Sequence, residues 1–100
     1  MTTTAEIVTF RLLPQADPVA FARAAADLEP VLKQTGGMIR RTLSVDADGL
    51  WTDHILWTSR HVARTAAAEI MGHPAAGPFM AMIGAPTAQT RHAQVPLQQE

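Results

Sequence analysis

The chain has one hundred residues, 47% hydrophobic and 17% charged, with a net charge of −1 and no cysteine. That length sets one domain, and the near-zero charge gives no electrostatic basis for binding nucleic acid or an acidic membrane. Without cysteine there is no disulfide framework, thiolate chemistry or Cys-ligated metal, and no apolar run is long enough to span a bilayer. A domain of this size buries only about two thirds of its unfolded surface. The apolar surplus therefore implies contact with a second copy. MTTTAEIVTF lacks the basic start and apolar core of a signal peptide, which leaves the cytoplasm as the expected location.

Residues 1–4 read as a tail. Glu6 to Leu13, EIVTFRLL, reads as a first strand, with Val8, Phe10 and Leu12 on one face and Ile7, Thr9, Arg11 and Leu13 on the other. Pro14 ends it. Asp17-Pro18 is an N-cap followed by proline at the first helical position, and Phe21, Ala25, Leu28 and Leu32 recur at helical spacing. Pro30 interrupts that helix, so it kinks or restarts after Glu29, and Gly36-Gly37 stops it.

Met38 to Ser59 is a β-hairpin about the turn Asp46-Ala47-Asp48-Gly49, with Gly49 taking the positive φ of a bulged type I turn. This turn opposes Val45 to Trp51, Leu43 to Asp53, Arg41 to Ile55 and Ile39 to Trp57 on one face. The other face opposes Ser44 to Thr52, Thr42 to His54 and Arg40 to Leu56. The first face is apolar except for Arg41 and Asp53, which sit at its rim or bridge diagonally. The second is polar.

Ser59 caps a further helix to about Met71, with Val62, Ala63, Ala66, Ile70 and Met71 on its buried side. His73-Pro74 opens a short helical piece containing Phe79, Met80, Met82 and Ile83. Thr87 to Val95 is a last strand whose two alternating sets, Gln89/Arg91/Ala93/Val95 and Ala88/Thr90/His92/Gln94, are equally open to the core. Residues 97–100 read as a second tail.

The order strand, helix, strand, strand, helix, strand, with right-handed crossovers, gives an α+β, ferredoxin-like βαββαβ fold: a four-stranded antiparallel sheet with helices on one face. The polar face is left bare, and a second copy laid over it makes a homodimer.

On that polar face His54 is the candidate acid or base. Thr42 is its neighbour, with Thr9 or Arg11 beside it if the first strand pairs with the third. Arg11 and Arg40 are candidates to hold a carboxylate or enolate and to keep His54 neutral. The alternative is that these groups hydrogen-bond across the dimer interface. His73 sits at a loop opening, and Phe79, Met80 and Met82 form a potential apolar pocket wall. Four histidines with no metal-ligand spacing and no cysteine give no metal site.

The run LWTDHILWTS leading into an alanine-rich helix, and HPAAGPFMAMI before the last strand, resemble the dimeric α/β-barrel superfamily over nearly the whole chain. Trp57 resembles the tryptophan that closes strand three in antibiotic-biosynthesis monooxygenase-like members. His73, Pro74 and Phe79 are similar to the His-Pro-x-His segment and following aromatic residue of the stress-responsive branch, although Ala76 stands where the second histidine falls. The chain has no Asn and no Tyr, so the Asn-Trp-His set of haem-degrading members cannot be assembled. The resemblance implies a homodimer packed sheet to sheet. It also implies a cavity for a small, largely apolar molecule and cofactor-independent chemistry of the monooxygenase or cyclase type; the candidate ligand-binding residues are Thr9, Thr42, His73, Trp57 and Phe79. Without those Asn, Tyr and His groups, a non-catalytic binding or assembly module is the alternative.

Overall fold

The computed structural model describes residues 2–99. In chain order it contains strand β1 (Thr4–Phe10), helices α1 (Pro18–Asp27) and α2 (Glu29–Gln34), and strands β2 (Met38–Val45) and β3 (Trp51–Trp57). Helices α3 (Arg60–Met71) and α4 (Ala76–Ala81), a 3-10 turn at Ala85–Thr87 and strand β4 (Gln89–Gln94) follow. The strands form one antiparallel sheet in the order β2-β3-β1-β4. This is the ferredoxin-like arrangement expected from the element order, and the helices pack on the face carrying Phe10, Trp51, Ile55 and Trp57.

Local chemistry explains the helix ends. The Asp17 carboxylate accepts from Val19 N at 3.1 Å, and Ser59 Oγ accepts from Val62 N at 3.1 Å. The first helix stops at Asp27 and restarts at Glu29 with Pro30 in its opening turn, where a missing N–H costs nothing. Gly37 lies where the chain passes beneath α3: a Cβ there would overlap Val62 Cγ1. In the hairpin turn Asp46 Oδ1 accepts from Asp48 N and Leu50 N, and Gly49 has φ +83°.

That turn fixes the expected register from Val45↔Trp51 through Arg40↔Leu56. Beyond it the structure departs from the sequence expectation. A bulge between Met38 and Arg40 places Met38, not Ile39, opposite Trp57, and Ile39 is exposed. The extra residue rotates the strand just after its close passage at Gly37, and so exchanges the side chain facing the core.

The first strand runs from Thr4 to Phe10, not Glu6 to Leu13. Thr4 is buried between Trp57 and Gln94, so it belongs to the sheet and not to a tail. β3 begins at Trp51 opposite Phe10, so Arg11 and the residues after it have no strand partner there. They pair instead with the segment after α4: Leu12 bridges Ile83, Leu13 N donates to Met82 O and Gly84 N donates to Arg11 O. Met71 is 69% exposed despite its helical phase, because it ends α3 beyond the reach of the sheet. Of the expected tails, Met1 and Glu100 lie outside the described residues, and Leu97 is exposed.

The core is an aromatic cluster extended by alanines. Phe21 packs edge-on against Phe10 and Trp51 and stacks on Phe79, with centroids 5.5, 5.0 and 5.0 Å apart. Fully buried side chains such as Trp57, Phe10, Phe21 and Leu32 each stabilise the fold by about 2 kcal/mol. Ala63 and Ala66, both fully buried, let α3 lie close to the sheet.

Candidate functional site

The two faces of the sheet separate the candidate residues. On the open face, Thr42 lies opposite His54 and Arg40 is one step along opposite Leu56. On its other side His54 is paired with Ile7, and Thr9 is paired with Thr52. Arg11 is four residues beyond Ile7, roughly 13 Å along the chain direction, and donates to Asp48 O in the hairpin turn at 2.6 Å. Arg40 lies towards the opposite end of the strands. The two guanidinium groups therefore do not converge on His54 within one chain. Among the described strand residues the face carries Arg40, Arg91 and His54 and no carboxylate.

His73 is exposed in the turn between α3 and α4, where its Nδ1 accepts from Ala75 N at 3.0 Å. Phe79 is buried and Trp57 is fully enclosed. Phe79 faces the main cavity, and Trp57 reaches it only through a hydrogen-bonded carboxylate described below.

The cavity lies between the sheet and the helices and holds about 430 Å³. Its floor is Val8, Phe10 and Ile55, its helix side includes Leu32, Ile70 and Phe79, and Met71 and Met80 stand among its walls as exposed side chains. A volume of this order suits a small aromatic molecule. Most polar groups that line it come from alternating positions on the four strands, and exposed Arg64 joins them from α3.

Arg41 and Asp53 form one polar pair. Arg41 Nε donates to Asp53 Oδ1 at 3.0 Å and Nη2 to Oδ2 at 2.8 Å, a bidentate bridge running diagonally across β2 and β3. Nη1 donates to Ala25 O at the end of α1 at 2.6 Å, and the guanidinium carbon lies 5.9 Å from the Phe79 ring centroid. The bridge therefore ties α1 and α4 to the sheet. It also cancels the charge of the cation buried beside the cavity.

Glu6, His92 and Trp57 form the other group. Glu6 is 7% exposed on the core face of β1, between Ile55 and His92. Trp57 Nε1 donates to Glu6 Oε1 at 3.3 Å. His92 Nε2 lies 3.4 Å from Glu6 Oε2, in ion-pair range but out of line for a hydrogen bond, and is buried without a hydrogen-bond partner. Among the described residues no group of three His, Asp or Glu side chains gathers closely enough to hold a metal ion.

Sequence reasoning anticipated a diagonal Arg41–Asp53 bridge, which is present, and left Glu6 and His92 unassigned. Glu6 shares the alternation of Val8 and Phe10, so an acid in an inward-facing set was its signal. The last strand turns Ala88, Thr90 and His92 towards the cavity. The competing set contains Gln89 and Arg91, which are harder to bury.

No family model matches the sequence, and no curated protein matches it. Its fold has clear counterparts among solved structures. SnoaB, a cofactor-independent oxygenase from Streptomyces nogalater, is 19% identical with a TM-score of 0.71, over 100% of this chain and 97% of that one. A protein from Bordetella bronchiseptica, provisionally assigned as an antibiotic biosynthesis monooxygenase, is 16% identical with a TM-score of 0.77, over 97% and 100%. A dimeric ferredoxin-like protein from an uncultured marine organism is 10% identical with a TM-score of 0.68, over 100% and 93%. The chain has the ferredoxin-like fold shared by the antibiotic biosynthesis monooxygenase structures, the architecture that its sequence resemblance implied.

Proposed function

We propose that the cavity binds a small, uncharged, largely aromatic molecule and oxidises it with dioxygen without a cofactor. The observation that carries this reading is a 430 Å³ apolar cavity whose buried cation, Arg41, is already spent on Asp53. Arg64, the other cation of the lining, is exposed on α3 and screened by solvent, whereas a flat apolar ligand finds Phe10, Phe79 and the methionines. The likeness to SnoaB supports the reaction type. Loss of a proton from an activated CH₂ leaves an electron-rich carbanion that can reduce dioxygen directly. One oxygen atom becomes a carbonyl and the other leaves as water: R₂CH₂ + O₂ → R₂C=O + H₂O.

Anthrone is a suitable probe because its methylene is doubly benzylic and enolises to a phenol. Equilibrium dialysis reports its binding. An oxygen electrode with anthraquinone absorbance reports turnover, and one O₂ consumed per anthraquinone formed is expected. Binding without oxygen uptake would replace the enzyme with a non-catalytic binding module, the reading that the absence of Asn and Tyr favours. Absence of binding would remove both.

In this reading a second copy covers the open sheet face, so Thr9, Arg40, Thr42 and His54 are interface groups. Ile7 lies at the centre of that face, beside His54 and Arg91. Ile7→Lys puts a cation beside Arg91 on a face whose described strand residues include no carboxylate. Native mass spectrometry is expected to show a dimer for the wild type and a monomer for this variant. A monomeric wild type would refute the interface.

A further inference from the structure

The cavity contains one pair of groups placed to move a proton, and its two members face different surroundings. Glu6 lines the cavity, with one carboxylate oxygen held by the Trp57 indole N–H and the other turned to His92 Nε2. His92 lines the cavity too, but it also lines a separate surface depression with Thr4, Ser59, Arg60 and Gln94. The imidazole thus lies between the cavity and this depression. Its Nε2 is closed to solvent while its side chain as a whole is 19% exposed, so solvent reaches the side chain at atoms other than the one facing Glu6.

We propose that Glu6 takes the proton from the molecule bound in the cavity and that His92 relays this proton to solvent through the depression. The inference rests on the cavity reading above. In the first step a C–H bond breaks, its electron pair stays on carbon and the proton forms an O–H bond at Glu6 Oε2. In the second, that proton passes to Nε2 of a neutral His92 carrying its hydrogen on Nδ1. The imidazolium then loses the Nδ1 proton to water in the depression, and a ring flip with proton exchange against water restores the first tautomer. The hydrogen bond from Trp57 fixes Oε1 and leaves Oε2 as the mobile site. The orphaned Nε2 fits this role, because a histidine locked into an aligned hydrogen bond would have no open acceptor position. Glu6 is the catalytic base. His92 and Trp57 are positioning residues that act through it.

Other charged groups near the pair leave it room to work. Arg41 and Asp53 neutralise each other on β2 and β3, Arg64 reaches the cavity from α3, and Arg60 lies at the depression. None of these makes a hydrogen bond to Glu6 or His92 among the described residues.

The test follows deuterium washing into the anthrone methylene by proton NMR, under argon in D₂O, so that no oxygen chemistry intervenes. Dialysis under the same conditions measures binding separately. Glu6→Gln keeps an acceptor for the Trp57 N–H and is expected to bind anthrone normally while losing exchange about 100-fold or more. His92→Ala blocks the outlet, so Glu6 returns the same proton to carbon. Exchange is expected to fall about tenfold and to recover as imidazole is added. Imidazole must fail to rescue Glu6→Gln. His92→Gln serves as the second variant should the alanine destabilise β4. Unchanged exchange in Glu6→Gln, or a His92→Ala defect insensitive to imidazole, would overturn the relay. A wild type that binds anthrone without exchanging it would overturn the relay and leave the cavity standing. A wild type that does not bind anthrone would remove both.

Discussion

Replacing Asp53 by Ala isolates the contribution of the buried ion pair. The Asp53 side chain is 7% exposed and that of Arg41 13%, so neither charge has water to fall back on. The guanidinium makes three hydrogen bonds, two to Asp53 and one to Ala25 O. Asp53→Ala removes two of them and leaves a cation facing Ile55 and the Phe79 ring. Breaking a buried pair from one side costs about 3–5 kcal/mol, against a total stability of about 5–15 kcal/mol for a domain of this kind. At a urea slope of about 1 kcal/mol/M the midpoint should fall by roughly 3 M or more. The paired replacement Arg41→Met with Asp53→Leu removes both desolvated charges, and Ala25 O still accepts from Leu28 N. That double variant is expected within about 1 kcal/mol of wild type, or above it. Urea denaturation followed by circular dichroism measures both. A loss below about 1 kcal/mol for Asp53→Ala would place the pair with exposed salt bridges and refute the burial argument. So would a double variant less stable than Asp53→Ala.

Further outcomes follow from the same geometry. Asp53→Asn keeps the shape of the bridge and removes its negative charge, so the cavity gains a net cation; binding of 9-anthracenecarboxylate, measured by dialysis, should tighten at least about tenfold relative to anthrone, and unchanged selectivity would show that Arg41 does not govern ligand charge. Gly37→Ala drives a methyl into Val62 and should cost about 1–3 kcal/mol. Gly77→Ala in α4 meets nothing within 4 Å and should instead stabilise by about 0.5–1 kcal/mol; thermal melts of the two variants shifting in the same direction would contradict this.

Most of the fold was legible because it rests on local chemistry. Asp17-Pro18, Ser59 and the Asp46–Gly49 turn each satisfy backbone groups within a few residues, and each appears where the sequence places it. The errors fall where a remote element decides. The Met38/Ile39 exchange follows from a bulge beside the passage of Gly37 beneath Val62, a remote contact that no window around Ile39 contains. The early end of β1 is dictated by where β3 begins, since EIVTFRLL offers no reason of its own to stop at Phe10. Whether His92 faces inward depends on the pairing of β4 with β1, fixed by contacts such as Glu6↔His92 across 86 positions of sequence.

The candidate site was harder to read than the fold for a related reason. Polar residues on a polar face stand out in a sequence, which drew attention to His54, Arg11 and Arg40. Polar residues on an apolar face look like misfits, yet those are the ones a protein must satisfy or use. Arg41 and Asp53 satisfy each other completely and shape the cavity by cancelling charge. Glu6 and His92 do not: one carboxylate oxygen is held, and one imidazole nitrogen is left without a partner. Burying an imidazole nitrogen unpaired costs free energy that an apolar side chain at position 92 would not incur. That cost, next to a carboxylate and beside both a cavity and a surface depression, is the physical observation that supports the proposed chemistry on this face of the sheet.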